Sequence, residues 1–148
     1  MAMSTRHALR ALLVCAALLP VLAHARCAPF DLLKSSAQVP YIVHGKVTQS
    51  NKAEVTAAAC NPKACRHHFT VQVIGVLKGR IDSTALQVQY DYLNQRENMV
   101  LFADGDEFVF ALRKVGADGQ ATLLGTTCGR AGVGVQQLDT LRQALAQR

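Results

Sequence analysis

Between residues 86 and 92 the chain alternates strictly, with Leu86, Val88, Tyr90 and Tyr92 on one side and Gln87, Gln89 and Asp91 on the other. A period of two is the repeat of an extended strand with one face in a core and the other in water. Neighbouring segments share it. Phe69-Thr70-Val71-Gln72-Val73 alternates, then continues through Ile74, Val76 and Leu77 to a turn at Lys78-Gly79-Arg80. Ile42-Val43 and Val47 mark a strand over 41–48, in which Gly45 predicts a bulge or a sharp bend. Asp104-Gly105-Asp106 makes a turn ahead of a strand over 107–115, and Asp118-Gly119 closes a hairpin into 121–127. Five short strands separated by turn signals restrict the chain to an all-β architecture, and a barrel is its most economical closure.

Two helices flank this set. Residues 28–37 bring Phe30, Leu32 and Leu33 to one side before Pro40 stops the helix, and Leu138, Leu141 and Leu145 follow helical spacing at the other end. The polar, alanine-rich stretch 50–66 carries no sustained period and reads as a long loop limited by Cys60 and Cys65. Gly129, Gly132 and Gly134 predict a flexible connection into the last helix. The expected architecture is therefore a five-stranded barrel with short N-terminal and C-terminal helices.

The first 25 residues have the three parts of a cleavable secretory signal. Arg6 and Arg10 precede an apolar run from Ala11 to Leu22, broken by Pro20, and the stretch ends in Ala23-His24-Ala25. That run is shorter than the roughly 18 apolar residues that span a bilayer. Cleavage is expected after Ala25, with Ala23 as the alternative, and no stable membrane span after it. Arg26 stands before Cys27 where a lipidation site wants a small residue, which argues against acylation. Removing 25 of the 148 residues leaves 123, a single domain over 26–148 in the periplasm or outside the cell.

The mature part keeps 14 Lys and Arg against 10 Asp and Glu, a formal net charge of +4. That balance keeps a domain soluble, and it fits an acidic partner or envelope component better than nucleic acid, which an exported chain seldom meets. Four cysteines remain after cleavage: Cys27, Cys60, Cys65 and Cys128. In an oxidising compartment an even number predicts disulfides, here two of them, and four cysteines allow three connectivities. The short spacer Asn61-Pro62-Lys63-Ala64 favours Cys60 with Cys65, which leaves Cys27 with Cys128.

The one cluster with metal-binding chemistry is Cys60, Cys65, His67 and His68. Zinc or copper uses such donors, but structural sites separate their histidines by three or more residues, and adjacent side chains on a strand point to opposite faces. A disulfide with two solvated histidines is the expectation, and metal binding through His67 and His68 is the alternative. His44 lies within a strand and is expected to be packed or exposed, not catalytic. Asp104, Asp106 and Glu107 fit turn chemistry. No nucleophile motif, phosphate-cradling loop or His-Glu zinc-protease pair is present in the sequence, and no cofactor is implied.

Taken in order, several segments resemble the netrin-like domain, the family that includes the tissue inhibitors of metalloproteinases (TIMP) and small bacterial relatives. They are Cys27 near the mature N-terminus, Tyr41 to Val47, Phe69 to Gly79, Gly105 to Ala111, and Leu123 to Cys128. The resemblance covers nearly the whole mature chain and implies a five-stranded OB-fold barrel of Greek-key type with flanking helices. It also supports the Cys27–Cys128 pairing. Inhibitory members of the family chelate a target's zinc with the first cysteine of an N-terminal Cys-x-Cys. Here Cys27 matches the second cysteine, the place of the first falls at Ala25, and the region Glu97 to Phe102 lacks its usual partner. The expected function is a non-enzymatic binding module for a protein or envelope component, without inhibition by the family mechanism.

Overall fold

The computed structural model describes residues 30–57, 66–91, 101–124 and 131–147. Strand β1 (Tyr41–Ser50) lies at the centre of the connectivity, pairing antiparallel with β2 (Arg66–Lys78) on one edge and β4 (Glu107–Val115) on the other. Its register against β2 shifts at three places, one of them between His44 and Gly45. Gly45 permits this: a Cβ there would collide with the Val71 side chain and the Gln72 carbonyl oxygen. The bulge expected at Gly45 is therefore present, and such bulges bend a strand enough to close a barrel.

Strand β3 (Ala85–Asp91) pairs antiparallel with β2 and parallel with β5 (Gln120–Leu123), which returns antiparallel to β4. The circuit β1-β2-β3-β5-β4-β1 is closed, a five-stranded OB-type barrel. A short sixth strand, β6 (Gly132–Gly134), lies against β4 over Phe108 to Phe110, on the edge whose next residues β5 occupies. The glycine-rich segment thus continues the sheet over 132–134, where the sequence predicted a flexible connection. Gly132 has a positive φ, and a Cβ at this position would strike the Val109 carbonyl oxygen, so the close approach of β6 needs a glycine.

The barrel interior holds Val43, Val47, Phe69, Val71, Leu86, Val88, Phe108, Phe110 and Leu123, drawn from all five strands. A second cluster covers the outside of β1 and β4, where Ile42, Val109 and Ala111 meet Leu32, Val39 and Leu141. Strand β4 is consequently buried on both faces from Phe108 to Leu112. This explains why its sequence is a continuous apolar run there while β3 alternates.

The outer cluster is capped by helices. Helix α1 (Leu32–Ser35) is shorter than the predicted span of 28–37, and its N-cap Asp31 accepts the Lys34 amide. Helix α3 (Leu138–Ala146) buries Leu141 completely, with Leu138 and Leu145 partly buried beside it, as its spacing predicts. Complete burial of a leucine such as Leu141 contributes roughly 1.5 to 3 kcal/mol. The 50–66 loop expectation fails over its first half: helix α2 spans Lys52–Ala57. Ser50 Oγ accepts the Lys52 amide at 3.0 Å, the Asn51 carbonyl accepts from Val55 at 3.0 Å, and Val55 is buried. Residues 58–65 lie outside the described residues.

Candidate functional site

The first turn of α2 and the start of β2 meet at one end of the barrel, and the side chain of Asn51 joins them. Its Nδ2 donates to the Arg66 carbonyl and to His68 Nδ1, both at 3.0 Å. Its Oδ1 accepts from His67 Nδ1 at 2.9 Å and from the His68 amide at 3.0 Å. All four hydrogen-bonding positions of the amide are filled, which fixes its orientation.

His67 is wholly buried. Because Asn51 Oδ1 can only accept, Nδ1 carries the proton, and Nε2 accepts the Phe102 amide at 3.0 Å. The ring lies 4.9 Å from Phe69 and stacks parallel to Phe102 at 6.4 Å, at the margin of a cluster with Phe108 and Phe110. Burial, reinforced by the nearby charges of His68 and Lys52, pushes the His67 pKa down to about 4. Ser50 completes the knot by donating from Oγ to the Phe102 carbonyl at 2.6 Å. His67 is thus a neutral structural histidine, which corrects the expectation that both histidines are solvated.

His68 points the other way and is exposed, as alternation on a strand requires. Its Nδ1 accepts from Asn51, so the neutral ring presents Nε2–H to solvent. The two imidazoles therefore do not converge, and a metal at His67 would have to displace either Asn51 or the Phe102 amide. No group of three or more metal-donor side chains occurs among the described residues. Cys27, Cys60, Cys65 and Cys128 all lie outside the described residues, and so does the predicted signal segment.

A second polar contact joins β1 to β4. His44 Nε2 and Glu107 Oε1 are 2.7 Å apart, with His44 nearly buried and Glu107 half exposed. The histidine is packed, one of the two placements expected of it, and Glu107 serves this pair instead of the turn. Turn chemistry holds for Asp106, whose Oδ2 accepts the Ala103 amide at 2.8 Å, while Asp104 is exposed.

The broad exposed feature is the outer face of β2, β3 and β5. Cross-strand register places His68, Gln89, Thr122 and Lys114 in one row, and Gln49, Thr70, Gln87 and Gln120 in the next. Thr70 Oγ1 donates to Gln87 Oε1 at 3.2 Å, which ties β2 to β3 on this face. Sequence alternation marked Gln87 and Gln89 as the outer side of β3, but the rows depend on pairings between strands far apart in the chain. Asn51 escaped notice although Asn51-Lys52-Ala53-Glu54 carries the residue pattern of a helix N-terminus.

No family model matches the chain, and no curated protein is significantly similar to it. Among the described residues no helix is long and apolar enough to cross a membrane.

Proposed function

We propose that the mature chain is an exported, disulfide-stabilised and non-enzymatic binding module for a protein or envelope component, related to the netrin-like and TIMP-like OB-fold proteins. One observation carries this reading. The buried side-chain polar atoms among the described residues all have hydrogen-bond partners, whereas the outer face of β2, β3 and β5 offers exposed donors and acceptors. The first group is engaged in holding the barrel, and the second is accessible to a ligand. The metal-binding alternative loses much of its appeal because both ring nitrogens of His67 are already engaged.

Zinc-protease inhibition through the N-terminus is outside this reading. A terminus at Arg26 has no side-chain bridge to fix the chelating amine and carbonyl, and ordering it costs roughly 1 to 2 kcal/mol of backbone entropy.

The test is capture from the envelope fraction with tagged exported protein, followed by mass spectrometry of the bound material and metal analysis of the purified oxidised protein. The expected result is saturable enrichment of an envelope component with substoichiometric zinc and copper. Stoichiometric metal that is lost on Cys60→Ser would replace this reading with the metal-binding one. Capture no greater than that of an unrelated exported control would remove it.

A further inference from the structure

We infer that the end of the barrel where β1 begins and β2 and β4 finish docks peripherally on an anionic lipid surface. This surface is additional to the outer face of the binding module, and its role rests on the export that is part of that reading.

Three connections meet at this end: 36–40 into β1, 79–84 between β2 and β3, and 116–119 between β4 and β5. Lys78 Nζ donates to the Ser36 and Ala37 carbonyls, both at 2.7 Å. Gly79 lies so close to the Tyr41 ring that a Cβ would strike it, and a Cβ on Gly119 would stand 3.2 Å from the Ala85 carbonyl oxygen.

Strand β2 overhangs its neighbour here. β3 pairs with it only as far as Gln72, and one further bond runs from the Val73 amide to the Thr84 carbonyl. Beyond that, β2 continues to Lys78 with β1 on its other edge. Three large apolar side chains are exposed among the described residues, and two of them, Ile74 at 53% and Val76 at 39%, stand on this overhang.

The charges at the same end are unbalanced. Arg80, Arg113 and Lys114 are exposed, against Asp82 and Asp118. Arg80 meets Asp82 at 3.4 Å with side chains 88% and 81% exposed, a pair that a phosphate can replace at little cost. Asp118 Oδ1 accepts the Gln120 amide, whereas Arg113 and Lys114 are in no ion pair among the described residues. Carboxylates gather at the opposite end, where Asp104 and Asp106 precede β4 and Glu107 begins it. An anionic surface therefore attracts one end and repels the other, which sets an orientation. A bilayer interface matches both features of the attracted end, with phosphates at the level of the cations and acyl chains beneath for apolar side chains that project. A soluble acidic chain satisfies the cations and leaves Ile74 and Val76 in water.

The experiment is cosedimentation of the exported, oxidised protein with vesicles of phosphatidylcholine alone or mixed with phosphatidylglycerol, at low and high salt. Saturable binding to the anionic vesicles alone, weakened by salt, is expected. Arg113→Gln with Lys114→Gln should reduce affinity by about tenfold or more and flatten the salt dependence. Ile74→Thr with Val76→Thr should reduce it by about fivefold at both salt concentrations. Lys52→Gln with Arg142→Gln removes the same charge away from this end and should change affinity by less than about twofold. All six side chains are exposed, so unchanged unfolding midpoints confirm that the variants remain folded. The inference falls if neither vesicle sediments the protein, if neutral vesicles bind it equally, or if the two charge variants lose the same affinity. Tighter binding to soluble polyglutamate than to the anionic vesicles would assign this end to an acidic protein and overturn it as well. None of these outcomes touches the binding-module reading, which stands or falls on capture from detergent-solubilised envelope.

Discussion

His67 and His68 are neighbours in the chain and opposites in the fold. One is wholly buried, with both ring nitrogens bonded within the protein, and the other is exposed with its Nε2 directed to water. The same contrast runs along β2. Its inward side chains, Phe69 and Val71, pack in the barrel, while Thr70 and Gln72 join the outer polar face. Identical chemistry thus has two roles: inside, a polar group is a structural bond whose loss leaves partners stranded, and outside, it is one exchangeable with water. Asn51 touches both histidines and so links the knot to the face.

The largest expected effect tests the inner half of this contrast. His67→Ala would remove the Nε2 acceptor of the buried Phe102 amide, remove one partner from Asn51 Oδ1, and open a cavity beside Phe69 and Phe102. Summed over these causes, the loss should be about 3 to 5 kcal/mol. His68→Ala, exposed, should change stability by less than about 1 kcal/mol, through the loss of one Asn51 contact. Urea unfolding of the two variants at neutral pH measures the difference, and equal losses would mean that the knot is not the structural element described here.

The next effect is a pH dependence of the same ring. The His67 pKa in the folded protein, about 4, lies below the value of 6.5 for an unperturbed histidine. Between these values the unfolded chain takes up a proton that the folded chain resists, so the contribution is fully present above about pH 6.5 and is lost as pH falls towards 4. The size is about 3 kcal/mol. In structural terms, a proton on Nε2 abolishes the acceptor for the Phe102 amide. Unfolding free energies from pH 7 to pH 4 should therefore converge for the wild type and His67→Ala, because the variant has no ring to protonate. A constant gap across that range would contradict the buried neutral state.

Much of this was legible beforehand, for reasons visible in particular residues. Strand β3 declares itself by alternation and α3 by Leu138, Leu141 and Leu145, since each signal repeats within one element, while β4 is marked by the Asp104-Gly105-Asp106 turn ahead of it. The burial of His67 was also present in the pattern: it shares the odd-numbered phase of Phe69 and Val71. A histidine is an uncertain inward residue until its partners are known, and those partners lie 16 residues before it and 35 after it. Helix α2 was missed because its buried apolar Val55 stands among exposed Lys52, Ala53, Glu54 and Thr56, which leaves no repeat to read. Strand β6 was missed because Gly132-Val133-Gly134 has little strand propensity of its own and is recruited by the edge of β4 that β5 leaves open.

The smallest expected effect tests the outer half of the contrast. Thr70→Val keeps the shape of the side chain and removes the hydroxyl that holds Gln87. That bond is exposed at 3.2 Å, water can replace it on both sides, and valine suits a strand at least as well as threonine. Stability should therefore change by less than about 0.5 kcal/mol. Binding responds differently, because Gln87 regains rotamer freedom and must be ordered again by the ligand, which costs roughly 0.5 to 1.5 kcal/mol. The expected pattern is an unchanged urea midpoint with affinity for the captured envelope component weakened by about two- to tenfold. A stability loss above about 1 kcal/mol would place Thr70 with His67 among the structural bonds, and the distinction between the two sides of β2 would collapse.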